Sequence, residues 1–321
     1  MLLTEAIEAL LLATKTNGRS AQTLRDYREK LGHLVAFLGD VSIETITTTD
    51  LRRFVADMMD QSTLYEDHHR CAPIEGSLSP FTIAGRVQVL KRFFNWLVEE
   101  ALLADNPARR IKRPNPRRLT PKGITREDLL ALLKATEGEG LTDKRDRAIT
   151  LFLADTGCRV GGLCGLRLGD VDLEARLARL TEKGSKTRLI PFSVVTEKAL
   201  RDWLAVRPQG ESDALFVTLG RWGHPEAAFS SRGVSQMLKR RADQAGIVGH
   251  VNPHSFRHAF ARDFLLHGGD IGILSEIMGH SSVLTTKSFY GIFTVQQLQQ
   301  QHTKHSPITQ LFGKEGETDG E

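Results

Sequence analysis

The sequence predicts a mainly α-helical chain with a small antiparallel β-sheet, divided into two domains. Three observations predict it. At 321 residues the chain exceeds one ordinary core. Apolar residues recur at helical spacing through most of its length, and alternate only in two short runs around Gly184-Ser185. A basic, proline-bearing stretch at 109–122 separates a helical first part from a mixed second part.

The first helix is expected within Leu2 to Ala13. Ser20 is placed to cap a second, which sets Leu24, Tyr27, Leu31, Leu34, Val35 and Leu38 on one face. Asp50 is expected to cap a third, carrying Leu51, Phe54, Val55 and Met58. From Asp60 to Pro80 the chain is polar and aperiodic and reads as a surface loop. A long helix follows through Ile83, Val87, Leu90, Phe93, Phe94 and Leu97 and breaks near Asn106-Pro107. Four helices in about a hundred residues make a small bundle.

In the second part, Thr125 with Asp128 forms a capping signal before Leu129, Leu130, Leu132 and Leu133. Another helix runs from about Asp143 and stops at Gly157. Leu177 to Glu182 and Thr187 to Phe192 form a hairpin, and the remainder is helical, with a cap at Ser230 or Ser231 and an end at Gly246.

Composition narrows the function classes. Hydrophobic residues at 40% and charged residues at 26% are the balance of a soluble globular protein. The run Ala9 to Ala13 is too short to span a bilayer, and no export leader is evident, so a cytoplasmic protein without a membrane partner is expected. Three cysteines, Cys71, Cys158 and Cys164, support neither a disulfide framework nor a zinc site. His68, His69 and Cys71 lack a fourth ligand in spacing. A net charge of +4 says little about nucleic acid, but the charge is unevenly placed. Arg109, Arg110, Lys112, Arg113, Arg117, Arg118 and Lys122 fall together without an acidic residue, among Pro114, Pro116 and Pro121. Such a segment is either a solvated linker or an extended cationic strap suited to lie along phosphates.

Four clusters carry chemistry. Thr156-Gly157-Cys158-Arg159 places an arginine just after a helix end. Lys183-Gly184-Ser185-Lys186-Thr187-Arg188 is a cationic hairpin tip. In His254-Ser255-Phe256-Arg257-His258, the first histidine, the arginine and the second histidine share a helix face. Met278-Gly279-His280 is followed ten positions later by Tyr290. Taken singly, each is an ordinary surface feature. Together they offer arginines, histidines and lysines without a carboxylate cluster, which suits an anion and argues against a metal. Two arginines can hold a phosphodiester and stabilise its pentavalent transition state. With no acidic cluster for magnesium and no nucleotide loop, the nucleophile has to come from the protein and no cofactor is expected. Of the three tyrosines, Tyr27 falls on a core face and Tyr65 in the loop, leaving Tyr290. A phenol of pKa about 10 needs a cationic pocket or a base to attack at neutral pH.

These clusters resemble those of the tyrosine recombinase, or phage integrase, family. TGCRVGGLCGLRLGDVD resembles its first arginine motif, EKGSKTRLIPF its hairpin, HSFRH its second motif, and MGHSS with TTKSFYG its last. The resemblance implies Arg159, Lys183 (with Lys186 as the alternative), His254, Arg257 and His280 as catalytic residues, with Tyr290 as nucleophile and His258 in support. SAQTLRDYREKLGHLVAFLG and the segment from Ser79 to Pro114 resemble the family's core-binding domain and linker. The implied organisation is a SAM-like helical core-binding domain over 1–108, a DNA-contacting linker over 109–122, and an α+β catalytic domain with a C-terminal tail over 123–321. Members act as homo-tetramers on two double-stranded DNA sites, through a 3′-phosphotyrosyl intermediate. The tail, Val295 to Leu311, would dock through Leu298 and Ile308 on a neighbouring subunit or on its own domain.

The chain departs from the family pattern at two points. Gly162 stands where many relatives carry an acidic residue, which removes a partner for Arg159. The commonest histidine-to-tyrosine spacing would land on Phe289 rather than Tyr290. Two other functions remain open: a type IB topoisomerase, which shares the chemistry, and a DNA-binding relative that has lost catalysis.

Overall fold

In the computed structural model, helices begin where the sequence places small polar residues. The structure describes residues 1–64, 74–116, 123–182, 186–220, 225–249 and 251–279, with isolated positions 284, 299, 302 and 306–308. The chain falls into two units, Met1–Leu119 and Thr120–Glu321. Both are mainly helical, and every strand pairing among the described residues is antiparallel.

The first unit holds α1 (Leu3–Thr16), α2 (Ala21–Leu38), α3 (Thr48–Asp60) and α4 (Pro80–Glu99). Ser20 Oγ accepts the Thr23 amide at 3.3 Å, and Ser79 Oγ accepts that of Thr82 at 3.1 Å, so at each helix start an otherwise orphan amide finds a local partner. The cap of α3 is Thr47 rather than Asp50. Thr47 Oγ1 accepts the Asp50 amide at 3.2 Å while the Asp50 carboxylate accepts the Thr47 amide at 3.0 Å. A carboxylate three residues into the helix serves both an orphan amide and the positive end of the dipole. Leu10, Leu31, Leu34, Leu51, Phe54, Val87, Phe93 and Phe94 form the core, where α4 packs on the other three helices.

Between α3 and α4 the expected loop contains a short ladder. β1 (Thr63–Leu64) pairs with β2 (Ile74–Glu75), Thr63 opposite Glu75. Alternation over two residues per strand leaves no readable period, which is why polarity alone suggested a loop. His68, His69 and Cys71 lie outside the described residues. The basic strap begins as a turn fastened to α4. Lys91 Nζ donates to the carbonyls of Ala108, Arg109 and Ile111 at 3.1, 3.2 and 2.7 Å, and Ile111 is buried in the core of the first unit. The chain then runs without regular structure to residue 116.

The second unit holds α5 (Arg126–Lys134), α6 (Leu141–Thr156), α7 (Val160–Cys164), α8 (Val194–Val206), α9 (Ser231–Gln244), α10 (Pro253–Leu266) and α11 (Ile271–Met278). Its strands are β3 (Val171–Asp172), β4 (Leu177–Glu182), β5 (Lys186–Pro191), β6 (Val217–Leu219) and β7 (Pro225–Ala228). The hairpin β4–β5 gains β3 as a third strand, and β6–β7 form a separate ladder that the sequence pattern does not reveal. Helix α6 runs through the core, packed by α8 and α10, with Phe152, Leu153, Leu180, Trp203, Phe216 and Phe256 fully buried around it. One ion network lies within this core. Asp146 is fully enclosed; its carboxylate accepts from Arg145 Nε and Nη2 at 3.1 and 2.9 Å and from Arg241 Nε at 2.9 Å. It joins α6 to α9, and the Arg145 guanidinium also lies 4.2 Å from the centre of the Phe229 ring.

Candidate functional site

The turn after α6 brings the first arginine into place. Gly157 takes a left-handed conformation at φ 57°, and a Cβ there would lie 2.5 Å from the Phe260 ring, so both conformation and space require glycine. Thr156 Oγ1 accepts the Cys158 amide at 3.3 Å, and the chain reverses so that Arg159 becomes the residue before α7. From there Nη1 and Nη2 of Arg159 both donate to the Gly279 carbonyl, each at 3.2 Å.

The second arginine comes from α10. Asn252 caps this helix: its Oδ1 accepts the amides of His254 at 3.0 Å and Ser255 at 3.1 Å, with Pro253 at the first helical position. His254 is exposed in the first turn, while Arg257 one turn on is only 6% exposed. Arg257 Nη1 donates to Gly157 O at 2.8 Å and Nη2 to Met278 O at 2.7 Å. His258 is half-buried. Burial first, then the charges of His254 and Arg257, hold its imidazole below the ordinary 6.5. It is therefore neutral at pH 7 and able to accept a proton or a hydrogen bond. His254 and His258 border a cleft of about 520 Å³ together with Asn252, Thr125 and Asp128.

Both arginines thus end on the last turn of α11. Gly279 closes that helix in the left-handed region at φ 63°, leaving carbonyls without helical partners that carry partial negative charge. A third arginine, Arg188 of β5, donates to Glu276 O on the same turn at 3.4 Å. Sequence reading placed Arg188 in a cationic hairpin without a role. Its signal was alternation, since Leu189 is exposed while Ile190 is buried, which puts Arg188 on the inward face. Asn252 was likewise missed, although an Asn-Pro step before a helix signals a cap.

Lys183, His280 and Tyr290 lie outside the described residues, as do Arg117 and Arg118 of the strap and Leu298 of the tail. Lys186 opens β5 opposite Glu182, and only its backbone is described. Arg109, Arg110, Lys112 and Arg113 are exposed on the first unit, and Ile308 is 63% exposed. Among the described residues, no three His, Cys, Asp or Glu side chains converge as a metal site, and no helix is long and apolar enough to cross a membrane.

Guanidiniums held in fixed directions beside two histidines suit an anionic phosphodiester. Carbonyl acceptors orient both guanidiniums of Arg159 and Arg257, and such oriented donors suit an anion. Residues 122–294 match the phage integrase family, and residues 11–101 match the phage integrase N-terminal SAM-like domain. The chain belongs to the phage integrase family of tyrosine recombinases, enzymes that break and rejoin DNA strands at specific sites. It is similar to the tyrosine recombinase XerC of Chromobacterium violaceum, 32% identical over 97% of each chain. It is also similar to the XerC of Myxococcus xanthus, 33% identical over 82% of this chain and 89% of the relative. Among solved structures, a lambda integrase dimer bound to a COC′ core site has the same fold, with a TM-score of 0.68 at 18% identity over 89% of this chain and 97% of that one. The Tn1549 transposon integrase in complex with a circular intermediate DNA gives 0.70 at 19% identity, over 95% and 99%.

Proposed function

We propose that this recombinase cleaves duplex DNA by attack of the Tyr290 hydroxyl on a phosphodiester held by Arg159 and Arg257. His254 and His280 hydrogen-bond the same phosphate, and His258 supports them as a neutral imidazole. Lys183 on the hairpin protonates the leaving 5′-oxygen, with Lys186 the alternative donor. The products are a 3′-phosphotyrosyl ester and a free 5′-hydroxyl; reversal with a new 5′-hydroxyl rejoins the strand, so no nucleotide cofactor is consumed. The domains act as a core-binding domain over 1–108, a linker over 109–122 whose arginines and Lys112 meet phosphates, and a catalytic domain over 123–321. Four copies in the cytoplasm bring two DNA sites together. The observation that carries this reading is the seating of Arg159 and Arg257 on adjacent carbonyls of one turn, immediately before His280.

The test is a nicked suicide duplex carrying the cognate site, incubated with wild type and Tyr290→Phe. We expect a covalent adduct on the peptide containing Tyr290 for wild type, and DNA binding without adduct for the variant. An adduct formed equally by Tyr290→Phe would overturn the assignment of the nucleophile.

A further inference from the structure

Side chains along β4 and β5 alternate between a buried and an open face. Ala178, Leu180 and Ile190 are fully buried, whereas Arg179, Thr187 and Leu189 are exposed. Arg188 pairs with Leu180 in the ladder and stands two residues from Ile190, so it occupies the buried face near the hairpin tip. A charged group on a core-facing position is costly unless its donors are matched. The Nε of Arg188 is closed off from solvent, and Nη1 reaches the Glu276 carbonyl at 3.4 Å across 88 positions of sequence. Glu276 lies in the turn of α11 that also seats Arg257, through Met278, and Arg159, through Gly279. One side chain therefore ties the β4–β5 pair, which flanks Lys183 in the sequence, to the turn that orients both arginines.

We propose that Arg188 is a positioning residue that registers the β4–β5 hairpin against the C-terminal turn of α11, so that the hairpin lysine meets the leaving oxygen. This rests on the reading of Lys183 as the proton donor. In that step the bond from Tyr290 Oη to phosphorus forms as the bond from phosphorus to O5′ breaks. O5′ takes its proton from the lysine ammonium, and the phenol proton passes to a base or to water. If sulfur replaces the bridging O5′, the leaving group departs as a thiolate. A thiol has a pKa of about 8.5, so this departure needs no acid.

Single-turnover cleavage by full-length Arg188→Gln, Arg188→Ala, Lys183→Ala and Arg159→Ala is measured on two nicked duplexes, one with bridging oxygen and one with bridging sulfur. Thermal unfolding and DNA binding are followed alongside, and the glutamine variant carries the test if the alanine variant fails to fold. With oxygen, Arg188→Gln is expected to slow cleavage about 10–100-fold, at or below the 10²–10⁴-fold typical of acid catalysis. Sulfur is expected to restore Arg188→Gln and Lys183→Ala to near the wild-type rate and to leave Arg159→Ala slow. A lysine variant rescued by sulfur beside an unrescued Arg188 variant would refute the positioning role and keep the lysine. Rescue of the Arg188 variant alone would keep the hairpin's role and move the proton donor from Lys183 to another hairpin group. Rescue of neither would overturn both assignments, and full activity of Arg188→Gln on oxygen would overturn the inference outright.

Discussion

Replacing Arg257 by alanine is expected to cost stability as well as chemistry, and to cost more stability than replacing Arg159. Arg257 is 6% exposed, and its bonds of 2.8 and 2.7 Å join the end of α6, at Gly157, to the end of α11, at Met278. Hydrogen bonds to a charged group are worth about 1.5–3 kcal/mol each, so losing two from a buried setting amounts to roughly 3–6 kcal/mol. That is a large share of the ~5–15 kcal/mol by which a folded protein is stable. Arg159 is half-buried, and its two hydrogen bonds to the Gly279 carbonyl are longer, at 3.2 Å each, so its loss is expected to cost less than that of the buried Arg257. Urea unfolding of the full-length variants, followed by far-ultraviolet circular dichroism, separates the two. With a urea slope of about 1–3 kcal/mol per molar, the Arg257→Ala midpoint falls by at least about 1 M, and that of Arg159→Ala falls by less. Suicide-substrate cleavage then fails for both, measured without urea where both are folded and bind DNA. An Arg257→Ala midpoint equal to wild type, or equal losses in the two variants, would refute the reasoning.

The remaining predictions concern the core, pH and the basic strap. Asp146→Ala strands the buried Arg145 and Arg241 and is expected to cost about 3–5 kcal/mol in thermal unfolding, against less for Asp146→Asn; a loss under about 1 kcal/mol would show the network to be dispensable. In the first unit, Arg86 Nη2 donates to His33 Nε2 at 2.9 Å, which requires a neutral ring, and burial with the Arg86 charge holds His33 below 6.5. Folded His33 and His258 therefore bind fewer protons than the unfolded chain, and the stability they contribute is present above 6.5 and lost as pH falls through it toward their folded values. His33→Gln should flatten that acid slope, and unfolding midpoints that rise on acidification would contradict the assignment. Replacing exposed Arg110 and Arg113 by alanine should lower the slope of log affinity against log salt by up to about 1.8, at ~0.9 for each phosphate no longer neutralised, with little effect on single-turnover cleavage at saturating protein. An unchanged slope would show that neither arginine meets the DNA backbone.

Much of the fold was legible because helix boundaries are local. Ser20, Thr125 and Ser230 each cap from the side chain through an amide three residues on, and Gly157 stops α6 by its own conformation. Asp50 was expected as the cap in place of Thr47 because both residue types satisfy the cap preference, and only the reciprocal pair of bonds distinguishes the cap from its partner. The short ladders β1–β2 and β6–β7 escaped because strands of two to four residues have too little alternation to rise above loop composition. At the site, residue types and order were readable, but what holds them was not. Arg159 and Arg257 are fixed by backbone carbonyls 120 and 21 positions away, and every residue has a carbonyl, so no side-chain pattern marks these acceptors.

Gly162 illustrates what that backbone seat changes. The nearest atoms a Cβ there would meet are Leu180 side-chain carbons, the first at 3.6 Å, so no close approach demands glycine. The acidic side chain usual in the family would have to lie beside a fully buried leucine, where a carboxylate is tolerated only with a firm partner such as Arg159. Here Arg159 turns to the Gly279 carbonyl instead. A carboxylate would fix the guanidinium strongly but neutralise it, whereas the Gly279 carbonyl at 3.2 Å holds it less tightly and adds no formal negative charge of its own. The exchange has a geometric consequence. An arginine oriented by a carboxylate on α7 would be independent of α11; an arginine oriented by Gly279 O follows α11 wherever its last turn sits. Because the same turn also seats Arg257 and Arg188 and runs directly into His280, displacing it misaligns all three arginines together. The orientation of the arginines proposed to hold the phosphate is in this way tied to one helix end.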